Sequence, residues 1–586
     1  MNIRKFLTGN LLLILILTLA TFLRFYGINW DQNQHLHPDE RFLTMVTQTI
    51  KWPSSIPEYF STSTSPLNPH NQNFTFYVYG TFPLFLIKAL SNITGLTDYN
   101  QITILGRFIS GLLDIFTVFV IFLIGKKVFS NKVGLLAAFL YGVSVLPIQL
   151  AHFYAVDTFL NFFLTLTIFI LIKSLHSPGY ILFTIAGVTY GLAFASKVSA
   201  FLLTPPILLA FLYLLYKFKS KAIFLGLIFL TISFLTFRIF QPYAFSGPTF
   251  FDITPNPKFL ANLKELQTLS QPNNYFPPAV MWNNTFPILY PLKDLIIWGL
   301  GIPAGIVSLV SILYSLLKIP TYRFLSPAIL PRLLLVSITL TVFIYQGIQF
   351  AKPLRYFLPM LPSLSILFAV FIIDSYILLS KKFSSSFLLI TYHLSLITLL
   401  IWPMAFMSIY TKEHSRVQAS EWIYQNIPAG SYLSAEHWDD ALPLNLPSKT
   451  NSIYYFVEFP LFGQDTEDKW LVMNEKFKKV DYIILTSNRL YGSITRNPQM
   501  YPLTNKYYRD LFDGKLEFEK IAEFTSRPNI PIPGITFCID LPFKDYGAVS
   551  KTLQDCNQEG ISLVDDYVDE TNTVYDHPKV IIFKKI

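Results

Sequence analysis

Long apolar runs recur through the first 410 residues and constrain the fold more than any other feature of this sequence. A bilayer core about 30 Å thick needs roughly 20 apolar residues to span it as a helix. By that measure we predict a mainly α-helical, polytopic membrane protein with about eleven membrane spans. They lie near residues 6–28, 102–125, 133–151, 157–173, 179–196, 198–216, 221–240, 295–317, 333–350, 356–378 and 387–409.

Charge is scarce and unevenly divided along the chain. Only 14% of the 586 residues are charged, against about 25% in soluble domains. Residues 1–410 hold 26 Lys and Arg and 11 Asp and Glu, a balance of +15, whereas residues 411–586 hold 19 and 25, a balance of −6. The basic excess therefore belongs to the apolar part, where loop cations orient helices in a bilayer. We exclude nucleic acid as a partner.

The loop cations predict the topology. Every second connection is basic if the N-terminus is cytoplasmic, as the positive-inside rule requires. An odd number of spans then places residues 411–586 outside the cytoplasm, in a multi-pass protein of the plasma membrane. The basic connections carry Arg4, Lys5, Lys126, Lys127, Lys132, Lys173, Lys217, Lys219, Lys221, Lys318, Arg323, Arg332, Lys381 and Lys382.

The chain divides into two predicted domains. Residues 1–410 form the membrane module, whose outer loops 29–101 and 241–294 are rich in Pro, Asn and aromatic residues that suit the membrane interface. Residues 411–586 are predicted to form a soluble α/β domain, with a helix over 412–427 and strands over 482–487, 516–524 and 580–583. Its two cysteines, Cys538 and Cys556, form either a disulfide bond or two free thiols.

Three acidic residues near outer span ends are candidate functional groups. Asp39 and Glu40 follow the first span, and Asp157 lies in the short second outer loop. An acid close to hydrocarbon is costly and usually functional. The alternative is structural, because Asp39 or Asp157 could simply cap a helix N-terminus.

Several cations lie at the same outer face, where the positive-inside rule predicts few. A phosphate or pyrophosphate head group would account for them, since Lys and Arg bind such anions by charge and hydrogen bonds. Snorkelling to the interface is the alternative, chiefly for Arg238 and Lys293, and Arg107 could instead pair with Asp114. The cations are Arg107, Lys197, Arg238, Lys352 and Arg355.

Three short motifs carry a family resemblance that runs across residues 1–410. The sequence His-Pro-Asp-Glu at 37–40 resembles the acidic first-loop motif of GT-C glycosyltransferases. The stretches 191–197 (Gly-Leu-Ala-Phe-Ala-Ser-Lys) and 352–362 (Lys-Pro-Leu-Arg-Tyr-Phe-Leu-Pro-Met-Leu-Pro) resemble segments of the protein O-mannosyltransferase and aminoarabinose transferase superfamily, a phospholipid carrier-dependent group similar to family 39.

The resemblance implies that a sugar is transferred, with inversion, from a polyprenyl-phosphate donor to a protein, lipid or glycan acceptor at the outer face. Asp39 would be the general base, with Glu40 and Asp157 orienting the acceptor. Lys197, Lys352 and Arg355 would neutralise the leaving phosphate. His37, Arg107 and Tyr356 complete the predicted substrate-binding set. We expect no cofactor, with a divalent metal between two carboxylates and a phosphate as the alternative.

Two other classes of function compete with this prediction. A secondary transporter would carry ionisable residues near the bilayer midplane and often shows inverted repeats. Here the acids lie mostly at span ends, Asp114 excepted, and we find no internal repeat. A non-catalytic scaffold would leave the acidic pair and the outer cations unexplained.

Overall fold

The computed structural model describes residues 3–272, 274–319, 326, 329–541 and 555–586. Eighteen of its α-helices, numbered in chain order, begin before residue 411. They are α1 (Ile3–Phe25), α2 (Pro38–Thr49), α3 (Ile56–Phe60), α4 (Thr81–Thr94), α5 (Tyr99–Val128), α6 (Asn131–Gly142), α7 (Val145–Ala151), α8 (Val156–Ser174), α9 (Tyr180–Ser196), α10 (Thr204–Phe218), α11 (Ser220–Phe240), α12 (Pro257–Leu269), α13 (Pro277–Val280), α14 (Leu289–Asp294), α15 (Ile302–Leu317), α16 (Leu330–Ile348), α17 (Leu361–Leu379) and α18 (Ser385–Met407).

Shorter helical turns connect these elements. The 3₁₀ turns are Pro69–Gln72, Val198–Leu203, Pro242–Ala244, Leu354–Met360 and Ser408–Thr411, and a π-helical turn covers Leu295–Gly299.

The predicted spans all fall on helices, but not all of these are long enough to cross a bilayer alone. Within the described ranges, seven helical segments are sufficiently long and apolar, and the bent pair α6 and α7 makes an eighth. The remaining three predicted spans coincide with α9 and α15, which are shorter apolar helices, and with α1, whose apolar stretch under this test is Asn10–Phe25. The fold class is therefore confirmed: the chain is mainly helical and polytopic, with an apolar helix at each predicted span.

The span predicted over 133–151 is bent rather than straight. Helices α6 and α7 meet at 60°. Ser144 between them is extended, and Pro147 follows in the first turn of α7. Proline has no N–H for the carbonyl four residues earlier, so a continuous helix cannot run through it. The break turns α7 and the start of α8 toward the outer loops.

The C-terminal part is an α/β unit with two sheets. Its strands are β1 (Tyr432–Glu436), β2 (Tyr455–Phe459), β3 (Tyr482–Leu485), β4 (Phe518–Phe524), β5 (Asn529–Ile530), β6 (Thr536–Asp540), β7 (Gly560–Val564) and β8 (Val580–Lys585). The larger sheet has five strands in the order β2-β1-β3-β8-β4. In it β1, β2 and β3 are parallel, and β8 pairs antiparallel with β3 and β4. The smaller sheet has the order β5-β7-β6.

Helices cover the sheets of this unit. They are α19 (Ser415–Asn426), α20 (Glu467–Lys479), α21 (Arg489–Ile494), α22 (Pro502–Phe512) and α23 (Glu570–Thr573), with a 3₁₀ turn at Asn451–Ile453. The predicted helix and all three predicted strands are confirmed, since they correspond to α19, β3, β4 and β8. A disulfide bond joins Cys538 and Cys556, which selects between the two alternatives left by the sequence.

The C-terminal unit packs directly on both outer loops. Arg41 of α2 forms an ion pair with Asp440 at 2.9 Å, and Gln34 donates to the carbonyl of Asn445 at 3.0 Å. From the second loop, the indole of Trp282 donates to Asp569 at 3.0 Å. The outer loops and residues 411–586 therefore lie on one side of the helical part.

Candidate active site

Asp39 lies in the first turn of α2, and Pro38 is the first residue of this helix. Nη1 of Arg355 donates to Oδ2 of Asp39, and Tyr79 supplies another hydrogen bond. Burial raises the pKa of the Asp39 carboxyl, but the charge of Arg355 and the hydrogen bonds lower it further, so the net pKa is well below its ordinary value. Asp39 is therefore a carboxylate at any physiological pH.

Arg355 has a donor to spare. It lies in the 3₁₀ turn Leu354–Met360 that leads into α17, and its side chain is 21% exposed. Its Nε is buried and has no hydrogen-bond partner among the described residues. An unsatisfied buried donor is costly, so this one is suited to an oxygen atom supplied by a ligand.

A second acid–cation pair lies beside the first. Asp157 is in the first turn of α8, and Nζ of Lys197, at the C-terminal end of α9, approaches it to 2.7 Å. The same Nζ lies 4.4 Å from the ring centroid of Tyr356, which follows Arg355. Tyr356 thus connects the two pairs, and these five predicted residues occupy one site.

Tyr79 is a site residue that sequence reasoning missed. It precedes Gly80, whose N–H donates to the carbonyl of Ser196 at 3.1 Å. A Cβ at Gly80 would lie 2.0 Å from the carbonyl oxygen of Ala195, so only glycine allows this close approach. The contact holds Tyr79 beside Asp39 and fixes the C-terminal end of α9, next to Lys197. The glycine after an aromatic run was the only available signal.

Glu40 and Arg107 form a buried network behind Asp39. Both side chains have no exposed surface; Arg107 donates to Glu40 through Nε at 3.0 Å and through Nη2 at 2.5 Å, and to Asp31 at 2.8 Å. Glu40 also accepts the backbone N–H of Tyr154 at 2.7 Å. Three hydrogen bonds from the protein reach the Glu40 carboxylate, so Glu40 and Arg107 are placed to hold the first loop against α5.

His37 and Lys352 lie at the edges of the site. His37 is the N-cap of α2: its Nδ1 accepts the backbone N–H of Glu40 at 3.3 Å, and burial lowers its pKa to about 4, so the ring is neutral. Nζ of Lys352 donates to Oγ1 of Thr285 at 2.8 Å and to the carbonyl of Phe350 at 2.9 Å. Lys352 is thus bound to the second outer loop rather than to the two acid–cation pairs.

Two alternatives from the sequence are wrong. Asp114 pairs with Arg24 at 2.8 Å, not with Arg107, and neither Asp114 nor Arg24 is exposed. Arg238 does not snorkel, since it is fully buried and donates to the carbonyls of Thr249 and Phe250 at 2.6 and 3.0 Å. The midspan acid that a transporter would use is therefore already neutralised by a partner.

The donor set for a metal ion is weak. Among the described residues, no group of three or more His, Cys, Asp or Glu side chains could hold a metal. Asp39 and Asp157 each face a cation of the chain itself. We derive no step that passes through a metal ion.

Comparisons with known proteins find one family model and several solved structures that are similar to this chain. Residues 82–240 match the family model of dolichyl-phosphate-mannose-protein mannosyltransferases. The structure resembles the Archaeoglobus fulgidus oligosaccharyltransferase tethered to an acceptor peptide, with a TM-score of 0.53 and 16% identity over 86% of this chain and 72% of that one. ArnT from Cupriavidus metallidurans aligns with a TM-score of 0.41 and 13% identity over 71% of this chain and 73% of that one. No curated protein matches the sequence.

The matched region includes α4, α5, α8 and α9, the helices that carry or abut Asp157, Lys197 and the Arg107 network. The fold shared with the archaeal enzyme extends over 86% of this chain. The family match is thus confined to residues 82–240, and the likeness to the archaeal oligosaccharyltransferase shows a shared fold over most of the chain.

Proposed function

We propose that the protein transfers a hexosyl or pentosyl group from a polyprenyl-phosphate donor to an acceptor, with Asp39 as general base. The observation that carries this proposal is the pairing of Asp39 with Arg355 beside the pair of Asp157 and Lys197. This arrangement places the Asp39 carboxylate, which can accept a proton, next to Arg355 and Lys197, which can bind a phosphate. Both Asp39 and Arg355 keep about a fifth of their side-chain surface exposed, at 23% and 21%.

The step is a displacement at the anomeric carbon. The acceptor hydroxyl or amine attacks C1 of the sugar, and the bond from C1 to the phosphate oxygen breaks on the opposite side, so the configuration inverts. Asp39 takes the proton from the attacking group. The polyprenyl phosphate leaves with the electron pair, and Arg355 and Lys197 neutralise its charge. Asp157 keeps Lys197 in position, while Tyr356 contacts both cations.

Donor binding would also prepare the base. In the structure Arg355 lowers the pKa of Asp39, which makes the carboxylate a weak proton acceptor. A donor phosphate that binds Nε of Arg355 shares the guanidinium charge and weakens its effect on Asp39. The pKa of Asp39 then rises, because burial of the carboxyl is less opposed. The base would thus gain strength when the leaving group is in place.

The chemistry of the structural neighbour supports the donor class and one acceptor class. The archaeal oligosaccharyltransferase has been solved with a dolichol-phosphate and an inhibitory peptide, and with a tethered acceptor peptide containing the NVT sequon. We propose a polyprenyl-phosphate sugar as donor here, and a protein, lipid or glycan as acceptor. The same neighbour has been solved with Zn. In this chain the positive charge beside Asp39 is the guanidinium of Arg355.

We place the reaction at the outer face of the plasma membrane, with a cytoplasmic N-terminus. The alternation of basic loops supports this orientation. The packing of both outer loops against the C-terminal unit agrees with it, because the site lies between them.

The test is transfer by the purified protein in liposomes from a panel of radiolabelled polyprenyl-phosphate sugars. We expect one donor class to yield a labelled acceptor and free polyprenyl phosphate in equal amounts. A control in the same vesicles follows movement of the donor from one leaflet to the other. Movement without transfer for every donor would replace the glycosyltransferase proposal with transport.

A further inference from the structure

A short segment of the C-terminal unit reaches into the site. It comprises α23 and the residues up to His577, and it lies over the first outer loop. The ring of Tyr575 packs on the ring of His37 with centroids 4.1 Å apart, and on Phe153 at 6.1 Å. His37 is two residues from Asp39, so Tyr575 adjoins the proposed base.

The segment is held firmly on both sides of Tyr575. Before it, Glu570 binds Nε of Arg489 at 2.6 Å. After it, Asp576 accepts from the hydroxyl of Tyr410 at 2.9 Å and from Gln149 at 3.1 Å. These contacts join the segment to both the C-terminal unit and the helical part. Contacts of the flanking residues Glu570 and Asp576, and not of the Tyr575 side chain itself, therefore fix the position of Tyr575.

The hydroxyl of Tyr575 is an unused donor close to the Asp39–Arg355 pair. The residue is 9% exposed, and its hydroxyl has no hydrogen-bond partner within the described part of the chain. Burial raises the pKa of Tyr575, with Arg355 lowering it and Asp39 raising it, so the phenol stays protonated and both charged groups are close enough to act on it.

We propose that Tyr575 is a catalytic residue whose hydroxyl donates a hydrogen bond to a phosphate oxygen of the polyprenyl-phosphate donor, beside Nε of Arg355. Two adjacent unused donors, one cationic and one neutral, suit an anionic oxygen better than an acceptor hydroxyl, which must lose its proton to Asp39. The hydrogen bond strengthens as charge develops on the leaving phosphate. The C-terminal unit thus contributes directly to the chemistry. The inference rests on the proposed function.

The substitution Tyr575→Phe tests the inference, because it keeps the ring on His37 and removes only the hydroxyl. We expect turnover to fall about 10- to 100-fold, as for loss of one hydrogen bond to a charged group. Binding of polyprenyl phosphate alone, measured by titration in detergent, should weaken in the same variant. The matched control is Tyr507→Phe. It also removes one Tyr hydroxyl of the C-terminal unit, and that hydroxyl is buried and has no hydrogen-bond partner among the described residues.

The outcomes separate the two levels of the proposal. If the wild type transfers sugar and Tyr575→Phe has the turnover and phosphate affinity of Tyr507→Phe, the role of Tyr575 is refuted while the proposed function stands. If the wild type neither transfers sugar nor binds polyprenyl phosphate, the proposed function fails and this inference fails with it. Equal melting temperatures of the two variants show that the loss is not one of folding.

Discussion

Asp39 and Arg355 form an ion pair although they are 316 residues apart in the sequence. One lies in the first helical turn of the first outer loop and the other in the turn before α17. The pair joins the start and the end of the helical part at the proposed reaction centre. Asp39 and Arg355 neutralise each other in this structure, and under the proposed function Asp39 accepts the proton of the acceptor while Arg355 binds the phosphate of the donor.

Replacing Asp39 by Asn should abolish most turnover. General-base catalysis is typically worth about 10²- to 10⁴-fold, and the amide cannot accept a proton. We expect a fall of that size in the transfer rate at saturating donor. The matched control is Asp98→Asn, because Asp98 caps α5 and Asn caps a helix nearly as well as Asp. Near-normal turnover in Asp39→Asn would remove the assignment of Asp39 as general base and leave it the partner of Arg355.

Replacing Arg355 by Ala should weaken donor binding by about 10- to 100-fold, the usual value of a charge-assisted hydrogen bond. Arg355→Lys should recover only part of it, because Lys lacks the planar fork of donors. The same Ala variant should lose activity on acidification at a higher pH than the wild type, since the pKa of Asp39 rises once Arg355 is gone. Titration and the pH profile of kcat/KM measure both effects.

The comparison variant for Arg355 is Lys352→Ala. Lys352 belongs to the predicted phosphate-binding set, but its Nζ binds Thr285 and Phe350. We expect a smaller effect on donor affinity than for Arg355→Ala. An equal or larger effect would restore Lys352 to the phosphate site.

Replacing Arg107 by Ala should destabilise the protein. Two buried carboxylates, Asp31 and Glu40, would lose their shared partner, and breaking a buried pair typically costs about 3–5 kcal/mol. The control is Arg41→Ala, whose side chain is 39% exposed in its pair with Asp440 and whose loss should cost about 0–1 kcal/mol. Thermal unfolding in detergent compares the two, and equal melting temperatures would contradict the structural role of Arg107.

Stability should fall as pH rises above neutrality because of His577. Burial lowers its pKa, but Asp576 and Asp565 raise it more, to about 10. Because the pKa of His577 is higher in the folded state than its unfolded value of about 6.5, the charged ring stabilises the folded state. This stabilisation is complete at pH values below about 6.5 and is lost as the pH rises toward 10. The melting temperature should decline over that range in the wild type and be flatter in His577→Gln. The exposed His437, replaced by Gln, serves as control and should leave the decline unchanged.

The orientation can be tested with single cysteines in intact cells. Lys219→Cys lies in a predicted inner loop and Thr450→Cys in the C-terminal unit, and both positions are exposed. A membrane-impermeant thiol reagent should label position 450 in intact cells and position 219 only after permeabilisation. The reverse pattern would invert the topology and move the site to the cytoplasmic face.

The local pattern of this sequence was enough to predict the apolar helices, part of the C-terminal unit and five residues that the structure brings together. Apolar runs located every long helix because hydropathy is a property of consecutive residues. The strands at 482, 518 and 580 followed from alternating and β-branched residues for the same reason. Asp39 and Asp157 were identified because an acid near hydrocarbon is costly without a function, and Lys197 and Arg355 because the positive-inside rule predicts few cations at the outer face. Tyr356 followed only from the family resemblance of residues 352–362.

Only the tertiary structure decided which charges pair. Glu40 adjoins Asp39 in sequence, yet it binds Arg107 inside the protein while Asp39 meets Arg355 in the site. The bend before α7 also escaped prediction, because an apolar composition does not reveal where hydrogen bonding stops. Tyr575 and Tyr79 lie in segments with no distinctive pattern, and their place beside Asp39 follows from packing between distant segments. Electrostatic attraction and hydrogen bonding depend on distance in space, and no local pattern in a single sequence contains that distance.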